Sequence, residues 1–155
     1  MKKYLQKKLN NEKGMTLIEL LAVIVIIAII AAIAIPAIGG IIENSRVGAS
    51  KSDALSVLAA ADLYLLDNGG AVDGAGTITG KELVDGNYIK DVGTFSAELA
   101  GVVITKETTS GKGLELSGSS RAGDIIITFA NATKSKISST PNSTRTTPTT
   151  ITIAK

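Results

Sequence analysis

The chain has no cysteine, no histidine and no tryptophan, and its only aromatic residues are Tyr4, Tyr64, Tyr88, Phe95 and Phe129. Without cysteine there is no disulfide and no thiol nucleophile, and without either residue the usual zinc sites are excluded. No imidazole is available as a catalytic base. Five rings are too few to stack on single-stranded nucleic acid or to form a continuous aromatic path. The acids are dispersed singly, at Asp62, Asp73, Glu82, Asp91, Glu98, Glu107 and Asp124. Loop carboxylates such as Asp67, Asp73 and Asp124 suit calcium as oxygen ligands, but no spacing among them specifies a site. The expectation is a protein with no cofactor, no metal and no enzymatic activity.

Charge is scarce too, and unevenly placed. The formal net charge is +2. Residues 1–14 hold Lys2, Lys3, Lys7, Lys8 and Lys13 against one acid, Glu12, and the remainder is slightly acidic. The main body therefore lacks a basic patch for nucleic acid. A lysine-rich head before an apolar run favours retention on the cytoplasmic side.

That run is the dominant feature. Residues 20–42 contain no ionisable group. As a helix at 1.5 Å per residue they extend about 35 Å, enough to cross a hydrocarbon core of roughly 30 Å. A cleaved secretory signal would have a shorter apolar region and a small-residue site on its far side, to which Ala37-Ile38-Gly39 is a poor match. The small residue stands on the near side, at Gly14, directly after the lysines. One carboxylate, Glu19, interrupts the greasy stretch near its start, and an ionisable residue in a span is functional by default. Pro36 removes one backbone donor and crowds the carbonyl of Ala32, and Gly39-Gly40 weakens the next turn. Together these three predict a kink or soft spot in the helix.

The segment Gly14-Met15-Thr16-Leu17-Ile18-Glu19-Leu20-Leu21 resembles the processing site of type IV pilins and their pseudopilin relatives. The resemblance is close over about residues 8–68 and reaches the rest only in outline. It implies that Gly14 ends a leader removed by a prepilin peptidase, and that Met15 becomes an N-methylated amino terminus. It implies that Glu19 guides methylation and subunit docking, and that Pro36 sits where related helices bend and partly unwind in the fibre. Most relatives have Phe where this chain has Met15. The cysteine pair that closes a C-terminal loop in many relatives is absent.

Elementary electrostatics supports the role of Glu19. A newly exposed ammonium at Met15 would lie one helical turn from Glu19, on the same face. The carboxylate can neutralise its own terminus or that of a neighbouring subunit, and so set the axial register. A favourable position at the positive end of the helix dipole is worth under about 1 kcal/mol, too little to keep a carboxylate in lipid.

Beyond the run, charges appear, and Val47, Ala54, Leu58, Ala61 and Leu65 keep one apolar stripe. Asn68-Gly69-Gly70 is a stop signal. Residues 15–67 thus predict a single bent helix of about 80 Å. The stripe predicts packing against the chain's own head. Residues 69–80 read as a Gly-rich loop. It lacks the preceding strand, following long helix and phosphate-facing lysine of a nucleotide site. Lys81 to Ile89 read as a helical turn and re-entry, pinned to the long helix by Leu83, Tyr88 and Ile89. Strands are predicted at residues 102–106, 114–116 and 125–129, with a fourth at 151–153. Residues 135–150, rich in Ser and Thr with Pro141 and Pro148, read as an extended polar surface segment. Its sequon Asn142-Ser143-Thr144, like Asn131-Ala132-Thr133 before it, reads as plain polar surface.

The expectation is therefore an α+β chain, a long bent N-terminal helix with an apolar first half, packed on a small antiparallel β-sheet head. Its divisions are a leader at 1–14, a membrane or filament-core helix at 15–42, an amphipathic continuation at 43–68 and a head at 69–155. The implied function is a structural subunit that passes from the cytoplasmic membrane, as a single-pass protein, into a surface filament for adhesion, motility or DNA uptake. Its alternatives are a pseudopilin of a type II secretion or DNA-uptake system, and a membrane-anchored surface protein that never polymerises. The implied partners are copies of itself, a prepilin peptidase, an assembly platform and ATPase, and membrane lipid before assembly. Nucleic acid would be met only through the assembled fibre.

Overall fold

A computed structural model describes the backbone of residues 2–68, 76–106, 113–143 and 150–154, and side chains from Leu17 onward within these segments except at Thr150. The chain forms two compact units, Met1–Ile42 and Glu43–Lys155. Helix α1 (Lys2–Asp67) contributes to both. It begins within the lysine-rich residues rather than at Met15, and it ends where Asn68-Gly69 breaks the pattern. The helix is assigned without interruption through Pro36, Gly39 and Gly40.

In the second unit, α1 supplies one layer and a five-stranded sheet the other. The strands are β1 (Thr77–Thr79), β2 (Val103–Lys106), β3 (Leu114–Ala122), β4 (Ile125–Thr133) and β5 (Thr150–Ala154), lying side by side in chain order. Two short helices, α2 (Gly80–Asp85) and α3 (Lys134–Ser139), and two 3₁₀ turns, Gly93–Phe95 and Leu99–Gly101, connect them. The stripe foreseen on α1 is the helix's contribution to the core: Val47, Ala54, Leu58 and Ala61 are buried, and Leu65 is partly so. They meet Ile104, Leu116, Ile127, Ile151 and Ile153 from the sheet, and Leu83 from α2. Phe95 and Phe129 are buried with ring centroids 5.6 Å apart.

Four expectations about the head are corrected. The sheet is mixed, because β5 runs parallel to β4 while the other pairs are antiparallel. Antiparallel strands can be joined by a tight turn, whereas a parallel pair needs a longer crossover, and here the crossover includes α3. That helix takes up the first residues of the segment 135–150 that was expected to be extended, of which residues 144–149 lie outside the described residues. Thr133 caps it by accepting a hydrogen bond from the Lys136 N–H at 3.3 Å, and Ile137 is buried beneath it. A cap and one apolar anchor outweigh the poor helix propensity of serine. Thr77–Thr79, read as loop, is an edge strand, because Ile78 is buried in the core. Thr79 then starts α2 through a reciprocal capping box: its N–H donates to Glu82 Oε2 at 2.6 Å and its Oγ1 accepts from the Glu82 N–H.

Strand β3 also runs beyond its expected end at Leu116, through the Gly/Ser stretch to Ala122. The register shifts between Leu116 and Gly118, a bulge that lets the strand continue. Gly118 has φ +149, and a Cβ there would lie 3.1 Å from the carbonyl oxygen of Gly101. Glycine at this position therefore marks a close backbone approach rather than a strand end.

Candidate assembly site

The first unit presents apolar side chains on every side. Its large hydrophobic residues from Leu17 to Ile42 are all exposed, from 47% at Val25 to 70% at Ile33 and Ile35. A helix that is apolar all round must be covered by lipid or by other helices, since water disfavours such a surface. It is the one helix among the described residues long and apolar enough to cross a membrane. Glu19 is exposed on it, and among the described residues no hydrogen bond or ion pair engages its carboxylate. Gly14 and Met15 lie on the helical backbone, five and four residues before it, outside the residues whose side chains are described. Gly39 and Gly40 are exposed, and a Cβ built on either meets nothing within 4 Å. Among the described residues, no close contact calls for glycine at either position.

The second unit contains polar anchors that periodicity did not reveal. Asp53, on α1, accepts hydrogen bonds from the N–H and Oγ1 of Thr94, both at 2.8 Å. Gly93 beside it has φ +54, and a side chain there would run into the Asp53 carboxylate. Lys51 donates to the carbonyl of Thr140 at 2.5 Å and to Oδ1 of Asn142 at 3.1 Å. Burial holds its ammonium below the usual lysine range. Ser50 and Ser120 share a buried hydrogen bond between α1 and β3. Neither sequon is idle surface: Asn131 accepts from Ser117 Oγ at 2.9 Å, and Asn142 is held by Lys51. These pairs join residues 14 to 91 positions apart, so no local sequence pattern could have found them.

At the far end of α1, Tyr64 and Tyr88 pack edge to face at 5.3 Å, and the Tyr88 hydroxyl donates to Asp67 at 2.5 Å. Tyr88 thereby pins the segment after α2 to the helix, as expected. Leu63 and Leu66 are exposed beside it. The hydrogen bond to Asp67, with the nearby negative charge, raises the Tyr88 phenol above the ordinary tyrosine range. A folded-state value above the unfolded one means that this contact's contribution is complete at neutral pH. It is lost as pH climbs through the raised value. Tyr88→Phe is expected to remove one phenol that titrates above the ordinary tyrosine range in an ultraviolet titration of the tyrosines. A late phase of undiminished amplitude in the variant would contradict the assignment.

Nothing in this geometry forms a catalytic constellation among the described residues, and no group of three potential metal ligands occurs among them. Residues 9–35 match the family model of the prokaryotic N-terminal methylation motif, which is characteristic of type IV pilins, their prepilins and pseudopilins. Comparison with curated proteins and with solved structures found no match.

Proposed function

We propose that this chain, which carries the prokaryotic N-terminal methylation motif, is a structural subunit of a type IV pilus. The motif supports a pilin- or pseudopilin-type surface subunit and points to a structural rather than an enzymatic role. The observation that carries the finer reading is Glu19, a lone carboxylate on a helix whose other side chains between Leu17 and Ile42 are uncharged and whose large apolar ones are all exposed.

In this reading the lysines hold residues 1–14 on the cytoplasmic side while the apolar helix crosses the membrane. A prepilin peptidase cuts between Gly14 and Met15, and Met15 is methylated on its new amino group. The platform and ATPase of the assembly machinery then draw subunits from the bilayer, and helices of neighbouring copies replace lipid around residues 15–42. Glu19 pairs with the Met15 ammonium. A single ion buried in such a bundle costs several kcal/mol, whereas a hydrogen-bonded pair is tolerable. Pro36, Gly39 and Gly40 supply the soft spot where the helix adjusts as it leaves the lipid. Residues 43–68 hold the head of 69–155, which forms the outer skin of the fibre.

Mass spectrometry of the amino terminus from cells tests the processing step. The mature protein is expected to begin at Met15 with one added methyl group. Material that still begins with its lysine-rich head would overturn the reading. Pseudopilins share the motif. The polar, Ser/Thr-rich residues 135–150 favour a long-lived exposed fibre instead, and electron microscopy of the cell surface separates the two outcomes.

A further inference from the structure

The five-stranded sheet ends in two edges on opposite sides, β1 and β5. Their sequences share a pattern, Thr77-Ile78-Thr79 in β1 and Thr150-Ile151-Thr152-Ile153-Ala154 in β5. Neither holds a charge or a proline, residues that guard strand edges against pairing with another chain. In both strands the isoleucines are buried in the core that α1 covers. Thr152 and Ala154 are exposed, and Thr77 is partly buried. On β1 the outward backbone groups belong to Thr77 and Thr79. Gly80 donates to the Val102 carbonyl at 2.9 Å, and the antiparallel alternation then turns Thr77 and Thr79 away from β2. Glu82 takes the Thr79 N–H, so the outward edge consists of both groups of Thr77 and the Thr79 carbonyl.

Strand direction decides how such edges can meet. β1 to β4 alternate in direction, and β5 runs parallel to β4, so β5 points opposite to β1. A second copy set beside the first in the same orientation brings its β1 antiparallel to β5, the pairing in which ladder bonds run straight across. An all-antiparallel sheet of five strands would present a parallel seam instead. The same placement keeps the buried isoleucines of both copies on one face, with α1 of each copy on that face and pointing the same way. Contact between two different edges is heterologous, so it extends past a dimer to a ring or an open filament.

We propose that β5 of one head pairs antiparallel with β1 of the next, so that heads in the fibre share a continuous sheet. The occupant of the edge, a second copy, rests on the pilus reading; the seam itself rests on strand direction and edge composition.

Paired cysteines test it, because the chain has none of its own. Ile78 opposite Ile151 sets Thr77 opposite Thr152, and Ile78 opposite Ile153 sets Thr77 opposite Ala154. Directly opposed residues have Cβ atoms about 4.5–5.5 Å apart, and a disulfide needs about 3.5–4.5 Å, so a small shift closes it. Cells making Thr77→Cys with Thr152→Cys, or Thr77→Cys with Ala154→Cys, are oxidised and separated into sheared fibres and membranes. One of the two double variants is expected to give a ladder of disulfide-linked trimers and larger species, while each single variant stops at dimers. Absence of any species above a dimer from both fractions of both double variants would overturn the seam. Fibres are counted separately. Fibres without a ladder refute the seam alone, whereas a ladder without fibres upholds the seam and refutes the pilus reading.

Discussion

Glu19→Ala is expected to abolish long surface fibres while leaving the protein in the membrane. The variant helix is more apolar than the parent, so insertion is not impaired. In the proposed fibre, what is lost is the partner of the Met15 ammonium. Removing one member of a buried pair costs about 3–5 kcal/mol, because the other charge is left uncompensated. Per subunit contact this is two to four orders of magnitude in association, at about 1.4 kcal/mol per tenfold. The penalty recurs at every added subunit, so growth stalls rather than slows. Glu19→Asp, with its carboxylate drawn back by one methylene, is expected to restore some fibre. Fibres sheared from cells, compared with membrane-bound protein, provide the measurement. Fibres of normal number and length on Glu19→Ala cells would refute the docking role. If no fibre is found even on parent cells and surface display is unaffected, the chain is a surface anchor instead.

Phe95→Ala is the substitution expected to damage the head most. Phe95 is fully buried, leaves a 3₁₀ turn to reach the core and packs on Phe129. Truncating a buried phenylalanine to alanine costs about 3–5 kcal/mol, through lost transfer energy and an unfilled cavity. A domain of this size has a total stability of roughly 5–15 kcal/mol, so most of the margin disappears. Phe95→Leu, which preserves much of the volume, is expected to cost far less. Because the chain has no tryptophan, the tyrosines are the natural probe of head folding, with Tyr64 and Tyr88 in mutual contact. Denaturant unfolding followed by their signal should shift far toward lower concentration in Phe95→Ala. A midpoint within about 0.5 kcal/mol of the parent, the range of ordinary surface changes, would show that the core does not depend on this ring.

What was readable in advance follows from the range of the forces involved. The apolar run, the stripe of Val47, Ala54, Leu58 and Ala61, and the stop at Asn68 depend on neighbours within a turn or two, and the structure carries all three. The turn of α2 was legible from Lys81 onward, whereas its capping box starts at Thr79, inside what reads as loop. The 69–80 loop hid β1, because a single buried isoleucine flanked by threonines gives no periodic signal. Likewise Gly118 looked like a strand end. What requires glycine there is a close approach to Gly101, 17 positions away in sequence.

The order of residues by itself determined the apolar helix, its lone acid and the methylation motif, since each rests on composition and spacing along one segment. The tertiary structure decided the parallel seating of β5, the hold of Lys51 on Thr140 and Asn142, the anchoring of Thr94 by Asp53 and the pairing of Tyr88 with Asp67. These are hydrogen bonds between groups far apart in the chain, and their geometry exists only once the core has brought α1 and the sheet together.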